Sequence, residues 1–106
     1  MIGAAANAAP SVRLDAEEVQ ALRAALQSAG NPEAFLFGSR TNPQRRGGDI
    51  DILVFSETPP FELSRRITTQ FFMRCEEKID VVVLNPQDLT PEQTAFLSML
   101  QPVRFS

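Results

Sequence analysis

Histidine is absent from this sequence and cysteine occurs once, as Cys75. Together these shortages exclude disulfide frameworks, Cys/His zinc sites, serine or cysteine triads and imidazole general bases. Whatever chemistry runs here must use carboxylates, hydroxyls and arginines. A basic excess is missing too. With 10 Lys and Arg against 13 Asp and Glu, the net charge of −3 argues against a general nucleic-acid binder. A nucleotide ligand is still allowed, because it needs only local positive charge. No apolar run approaches transmembrane length, and the opening MIGAAANAAP lacks both the cationic start and the apolar stretch of a signal peptide. The expectation is a cytoplasmic protein with no membrane partner. At 106 residues, 43% apolar and 22% charged, the chain suits one globular core and is too short for two. Residues 1–12 read as a flexible Ala-rich tail and 13–106 as a single domain.

What is present reads as alternating helices and strands. Asp15 and Glu18 form a capping-box variant, after which Leu14, Val19, Leu22 and Leu26 follow helical spacing until Gly30 and Asn31-Pro32 stop the run. Ala34 to Phe37 and Ile50 to Phe55 are apolar runs suited to strands, joined by a loop carrying Arg40, Arg45 and Arg46. Pro59-Pro60 breaks the chain. Leu63, Ile67, Phe71 and Cys75 then fall four apart, predicting a second helix through Glu76 with Arg65, Arg66 and Arg74 between them. Ile79 to Leu84 is β-branched and closed by Asn85-Pro86, predicting a third strand. Thr90-Pro91-Glu92-Gln93 opens a last helix through Phe96, Met99 and Leu100. The predicted class is α/β (α+β), a small mixed β-sheet of about three strands flanked by helices in the order α-β-β-α-β-α.

The strands carry acids where acids are costly. Side chains at i and i+2 share a strand face, so Asp49 and Asp51 present two carboxylates on one side, roughly 6 to 7 Å apart along the backbone. Asp80 sits near the start of the third strand. If that strand neighbours the second, three carboxylates gather at one end of the sheet, and without a cation at least one pKa rises. A hard cation such as Mg²⁺ answers that repulsion, since it takes oxygen ligands from carboxylates, phosphates and water. Two such ions roughly 3.5 to 4 Å apart suit an in-line displacement at phosphorus. Gly38-Ser39 supplies a close-approaching backbone and a hydroxyl for phosphate oxygens. Arg40, with Arg45 and Arg46, can offset the remaining triphosphate charge. Each piece alone also has an ordinary reading: a turn for Gly-Ser-Arg, a solvated strand start for Asp-x-Asp, a strand edge for Asp80, a loop tip for Arg45-Arg46. Their coincidence in one order is what those readings do not explain.

The runs LFGSRTNPQRRGGDIDILV and KIDVVVL resemble the minimal nucleotidyltransferases of the DNA polymerase β-like superfamily, over about Phe35 to Leu84. By that resemblance Ser39 contacts nucleotide phosphates with Gly38, Arg40 and Gly48 around it. It makes Asp49 and Asp51 metal ligands, and has Asp80 complete the catalytic and metal site beside the incoming hydroxyl. It further implies two Mg²⁺ ions, ATP as substrate and, because single-domain members are similar to antitoxins, a HEPN-type helical partner protein whose tyrosine receives AMP. Nucleic acid is not expected as a partner. The chain ends soon after the third strand, which carries the expectation that a second protein helps supply the acceptor site.

Two other functions fit the same residues. One is a slow or inactive module that neutralises its partner by occlusion, against which the retained acids weigh. The other is one subunit of a two-chain transferase for a small molecule or an RNA end. Away from the acids, Phe35, Phe37, Phe71, Phe72 and Phe96 are expected in the core, Cys75 as a small buried apolar residue, and Arg65-Arg66 on a solvated helix face.

Overall fold

In the computed structural model, which describes residues 12–106, three α-helices and a four-stranded sheet alternate along the chain. Helix α1 (Ala16–Ser28) begins at Asp15, whose side chain accepts from Glu18 N at 2.8 Å while the Glu18 carboxylate accepts from Asp15 N at 3.0 Å. Strand β1 (Glu33–Phe37) runs into a 3₁₀ turn at Gly38–Thr41, and β2 (Ile50–Phe55) returns antiparallel to β1. Helix α2 (Pro60–Phe72) crosses over to β3 (Ile79–Leu84), which lies parallel to β2. Helix α3 (Pro91–Met99) opens at a Thr90/Gln93 capping box and leads into β4 (Val103–Arg104).

The sheet order is β3-β2-β1-β4. The fold is thus a mixed α+β architecture with one strand more than the sequence predicted. Two residues of β4 pair antiparallel with Phe35 and Leu36. So short a segment has no alternation to detect, and its pairing depends on where α3 delivers the chain. Helix α2 also stops at Phe72 rather than running through Glu76, although Cys75 N still bonds the Phe71 carbonyl at 3.0 Å. The expected Ala-rich tail lies outside the described residues except for Val12, which packs against the core. No helix among the described residues is long and apolar enough to cross a membrane.

One face of the sheet makes the main core. Ala34 and Leu36 of β1, Ile50, Ile52 and Val54 of β2, and Val83 of β3 join Leu22, Ala25 and Leu26 of α1 with Leu63, Ile67 and Phe71 of α2 in one buried cluster. The i, i+4 spacing of the α2 residues is the reason that helix lies down on the sheet. Each of the valine, leucine, isoleucine and phenylalanine side chains stabilises the fold by about 1.5–3 kcal/mol when fully buried. Cys75 belongs to this cluster, as a small apolar residue should. Phe72 does not: it stands 47% exposed one position past the buried stripe.

The opposite face carries the odd-numbered residues of β2. There Phe35 meets Phe55 edge-on at 5.8 Å between ring centroids, and Phe96 of α3 meets Phe37 at 5.9 Å. Phe35, Phe37 and Phe96 are only half-buried.

Candidate active site

Parallel pairing of β2 with β3 sets Asp51 directly opposite Asp80. Antiparallel strands β1 and β2 put Phe37 opposite Asp51 on its other side. Because cross-strand partners share a face, Asp51 and Asp80 both leave the sheet on the side away from α1 and α2, and Asp49, two residues upstream, precedes them on the same side. Asp51 is half-buried, while Asp49 and Asp80 are exposed. Burial pushes the Asp51 carboxyl above its ordinary value of 3.8, and the charges of Asp80 and then Asp49 push it further. Each of the two strands thus brings its acids to the same end of the sheet.

The glycines close the approach to these acids. Gly38 has φ +77°, and a Cβ there would strike the Asp51 carboxylate oxygen. Gly48 has φ +89°, and a Cβ there would strike the Ser39 hydroxyl. Both conformations are strained for any residue with a side chain. Glycine therefore lets the turn after β1 lie flush against β2 and lets the two ends of the 38–48 loop touch. Ser39 lies against Gly48, and Gly38 against Asp51.

Arg40 occupies a different place from the one its sequence context implied. Its guanidinium donates from Nε to the Gly48 carbonyl at 3.0 Å, from Nη1 to the Arg13 carbonyl at 2.8 Å and to Glu18 Oε1 at 3.0 Å. From Nη2 it reaches Glu18 Oε2 at 3.2 Å and Glu77 Oε1 at 3.5 Å. The side chains of Arg40 and Glu18 are only 8% and 6% exposed. The bond to Glu18 holds Arg40 charged, above its already high ordinary value, against the opposing effect of burial. Every donor is engaged, so Arg40 is an anchor of the loop, and the expectation that it meets a triphosphate is corrected. Losing one partner of such a pair leaves a buried charge, at a cost of about 3–5 kcal/mol.

Two residues of this scaffold have no signal in the sequence. Glu18 reads as half of a capping box, and nothing in the spacing links it to Arg40. Arg13 lies outside every motif, yet its guanidinium reaches three loop carbonyls. Arg45 and Arg46 at the loop tip are exposed, and among the described residues neither forms an ion pair.

The donor set is all oxygen: three carboxylates, with the charges of Asp80 and Asp49 adding to the burial that raises the proton affinity of Asp51, and a serine hydroxyl across the loop. That chemistry fits a hard divalent cation and no soft one. Among the described residues no three acidic, His or Cys side chains stand close enough to form a ready cage.

Among the curated proteins none matches the chain. Residues 20–98 do match the family model described as Polymerase beta, Nucleotidyltransferase. That span begins inside α1, takes in the whole glycine loop and both acid-bearing strands, and ends in α3. With more than half of its length matched by that model, the chain belongs to the polymerase beta nucleotidyltransferase family.

Proposed function

We propose that the protein is a magnesium-dependent nucleotidyltransferase that moves AMP from ATP to a hydroxyl, a tyrosine of a HEPN-type helical partner, acting as antitoxin to that partner. The observation that carries the transferase part is the register of Asp51 on Asp80, with Asp49 at i−2 and Gly38-Ser39 flush against them. The adenylyl and antitoxin parts rest on the resemblance to minimal nucleotidyltransferases. Exposed Phe61, Phe72 and Met73 along and just after α2 favour a protein as partner, since exposed apolar surface of this kind marks interaction sites.

In this reading Ser39 and the backbone around Gly38 and Gly48 bind the triphosphate, with Arg45 and Arg46 supplying the local positive charge that Arg40 does not. Asp49, Asp51 and Asp80 would hold the metal. Magnesium, when bound there, neutralises carboxylates and polyphosphate and stabilises charge on the leaving group. The acceptor oxygen forms a bond to the α-phosphorus, the bond to the bridging oxygen of the β-phosphate breaks, and pyrophosphate leaves. An Oδ of Asp80 takes the hydroxyl proton, as no histidine exists to do so.

The test is to incubate the purified protein with each labelled nucleoside triphosphate and Mg²⁺, with and without the product of the adjacent reading frame, and to identify what becomes labelled. The expected result is a gain of one AMP on a partner tyrosine, lost in the Asp49→Asn/Asp51→Asn double variant. Unaltered modification by that variant overturns the mechanism. Label on a small molecule or RNA end moves the acceptor, and neutralisation of the partner by the variant at equal protein level leaves occlusion.

A further inference from the structure

Arg13 precedes α1 and belongs to no motif, yet it is the residue on which the two ends of the glycine loop close. Its Nε donates to the Asn42 carbonyl at 2.8 Å, and its Nη2 donates to the Ser39 carbonyl at 2.8 Å and the Gly47 carbonyl at 3.0 Å. Its backbone is tied in as well. Arg13 N donates to the Arg40 carbonyl at 2.7 Å, and the Arg13 carbonyl accepts from Arg40 Nη1 at 2.8 Å. Ser39 and Asn42 stand on the outgoing limb of the loop and Gly47 on the returning one. One planar fork therefore cross-links both limbs, where a lysine has a single ammonium to offer.

The link bears on chemistry through the peptide N–H that shares a plane with each carbonyl. In a trans peptide the C=O of one residue and the N–H of the next point in opposite directions. With the Ser39 and Gly47 carbonyls turned onto Arg13, the N–H groups of Arg40 and Gly48 are turned away from it. The same link holds Ser39 Oγ against Gly48, the residue before Asp49. Arg40 fastens the returning limb one residue further along, at the Gly48 carbonyl, and passes the load to Glu18 and Glu77. Two arginines that each hold the other's backbone thus fix the distance from the serine hydroxyl to the carboxylates.

We infer that Arg13 is a positioning residue for nucleotidyl transfer: it touches neither nucleotide nor metal and sets the loop geometry that receives the triphosphate. This rests on the reading of the 38–48 loop as the triphosphate holder. The side chains that meet the phosphates act through a frame that Arg13 locks, so its loss falls on the β- and γ-phosphates more than on the rest of the nucleotide.

The experiment titrates the whole protein calorimetrically with ATP and with AMP in excess Mg²⁺, as parent, Arg13→Gln and Arg13→Lys, with melting temperatures recorded alongside. Both variants should bind ATP about tenfold more weakly with AMP affinity unchanged, and added guanidinium should restore part of the loss in Arg13→Gln. A structural role alone lowers the melting temperature and weakens both ligands in parallel, which overturns the proposal. ATP affinity within twofold of the parent overturns it as well. If Arg13→Gln does not fold, Arg13→Lys is read by the same criteria, and failure of both to fold assigns Arg13 to stability and ends the proposal. A parent that does not bind ATP fails earlier, and overturns the nucleotide reading itself.

Discussion

The two faces of β2 are made by one hexapeptide and answer to different solvents. Ile50, Ile52 and Val54 are fully buried against α1 and α2, whereas Asp51, Leu53 and Phe55 look toward the other side, where Leu53 is buried and Asp51 only half-buried. On the first face every atom stabilises the fold. On the second an acid sits beside two others with its proton affinity raised by burial and by their charge. At its Asp51 end the strand sets a core face against an acid-bearing one, while Leu53, further along the second face, is buried too.

Mutations can break that division in graded ways. The largest effect is expected from Asp51→Asn, which should lower nucleotidyl transfer on the order of a thousandfold, about 4 kcal/mol of barrier, while the folded state survives. Steady-state rates beside circular dichroism decide it, and a modest rate loss would mean that the acids do not share the work. Its neighbour should behave in reverse. Ile52→Ala is expected to cost about 2–5 kcal/mol of stability by urea unfolding, with transfer per folded molecule unchanged. If Ile52→Ala also removes transfer at temperatures where it is folded, the faces are coupled and the comparison fails.

Smaller effects sharpen the boundary between the faces. Gly48→Ala places a methyl onto the Ser39 hydroxyl and forces a left-handed residue, so it should lose about 1–2 kcal/mol of stability and weaken ATP binding. Wild-type ATP affinity in this variant would show that Ser39 is not a phosphate contact. The smallest effect is a pH dependence. Asp51 takes up a proton more readily folded than unfolded, so its charge lowers stability above its raised pKa, and that loss fades as the pH falls toward the ordinary 3.8. Asp51→Asn should therefore melt higher than the parent at pH 7, with the gap narrowing toward pH 4. A gap that widens on acidification reverses the sign and places a favourable partner beside the carboxylate.

The acids were legible in the sequence because strands have a period of two and because β-branched runs mark strands whichever way they pair. That Asp80 would stand opposite Asp51 was conditional on β3 lying beside β2, which a crossover helix of suitable length makes natural. Arg40 departs from its expected place for a specific reason: composition gives the charge of a side chain but not its direction, and a buried acid on α1 takes up the guanidinium. Glu18 conceals its second role behind its first, since its Oε1 accepts from Asp15 N and from Arg40 Nη1 together, and its Oε2 accepts from Arg40 Nη2. Arg13 acts on carbonyls, which every residue has, so no pattern announces it. Strand β4 is too short for alternation to show, and Phe72 missed the core by one position of helical phase.

The parallel pairing of β2 with β3 also sets when this site comes into being. Parallel neighbours cannot be joined by a tight turn, so the closure of a long crossover precedes any reward from the contacts it makes. A nascent chain that has emerged through β2 already holds Asp49 and Asp51 but no Asp80, and its acids face one another without their third. In the proposed mechanism the three acids come together only once α2 has docked and β3 has been laid beside β2. On that mechanism a chain that ends before β3 should carry no nucleotidyl transfer.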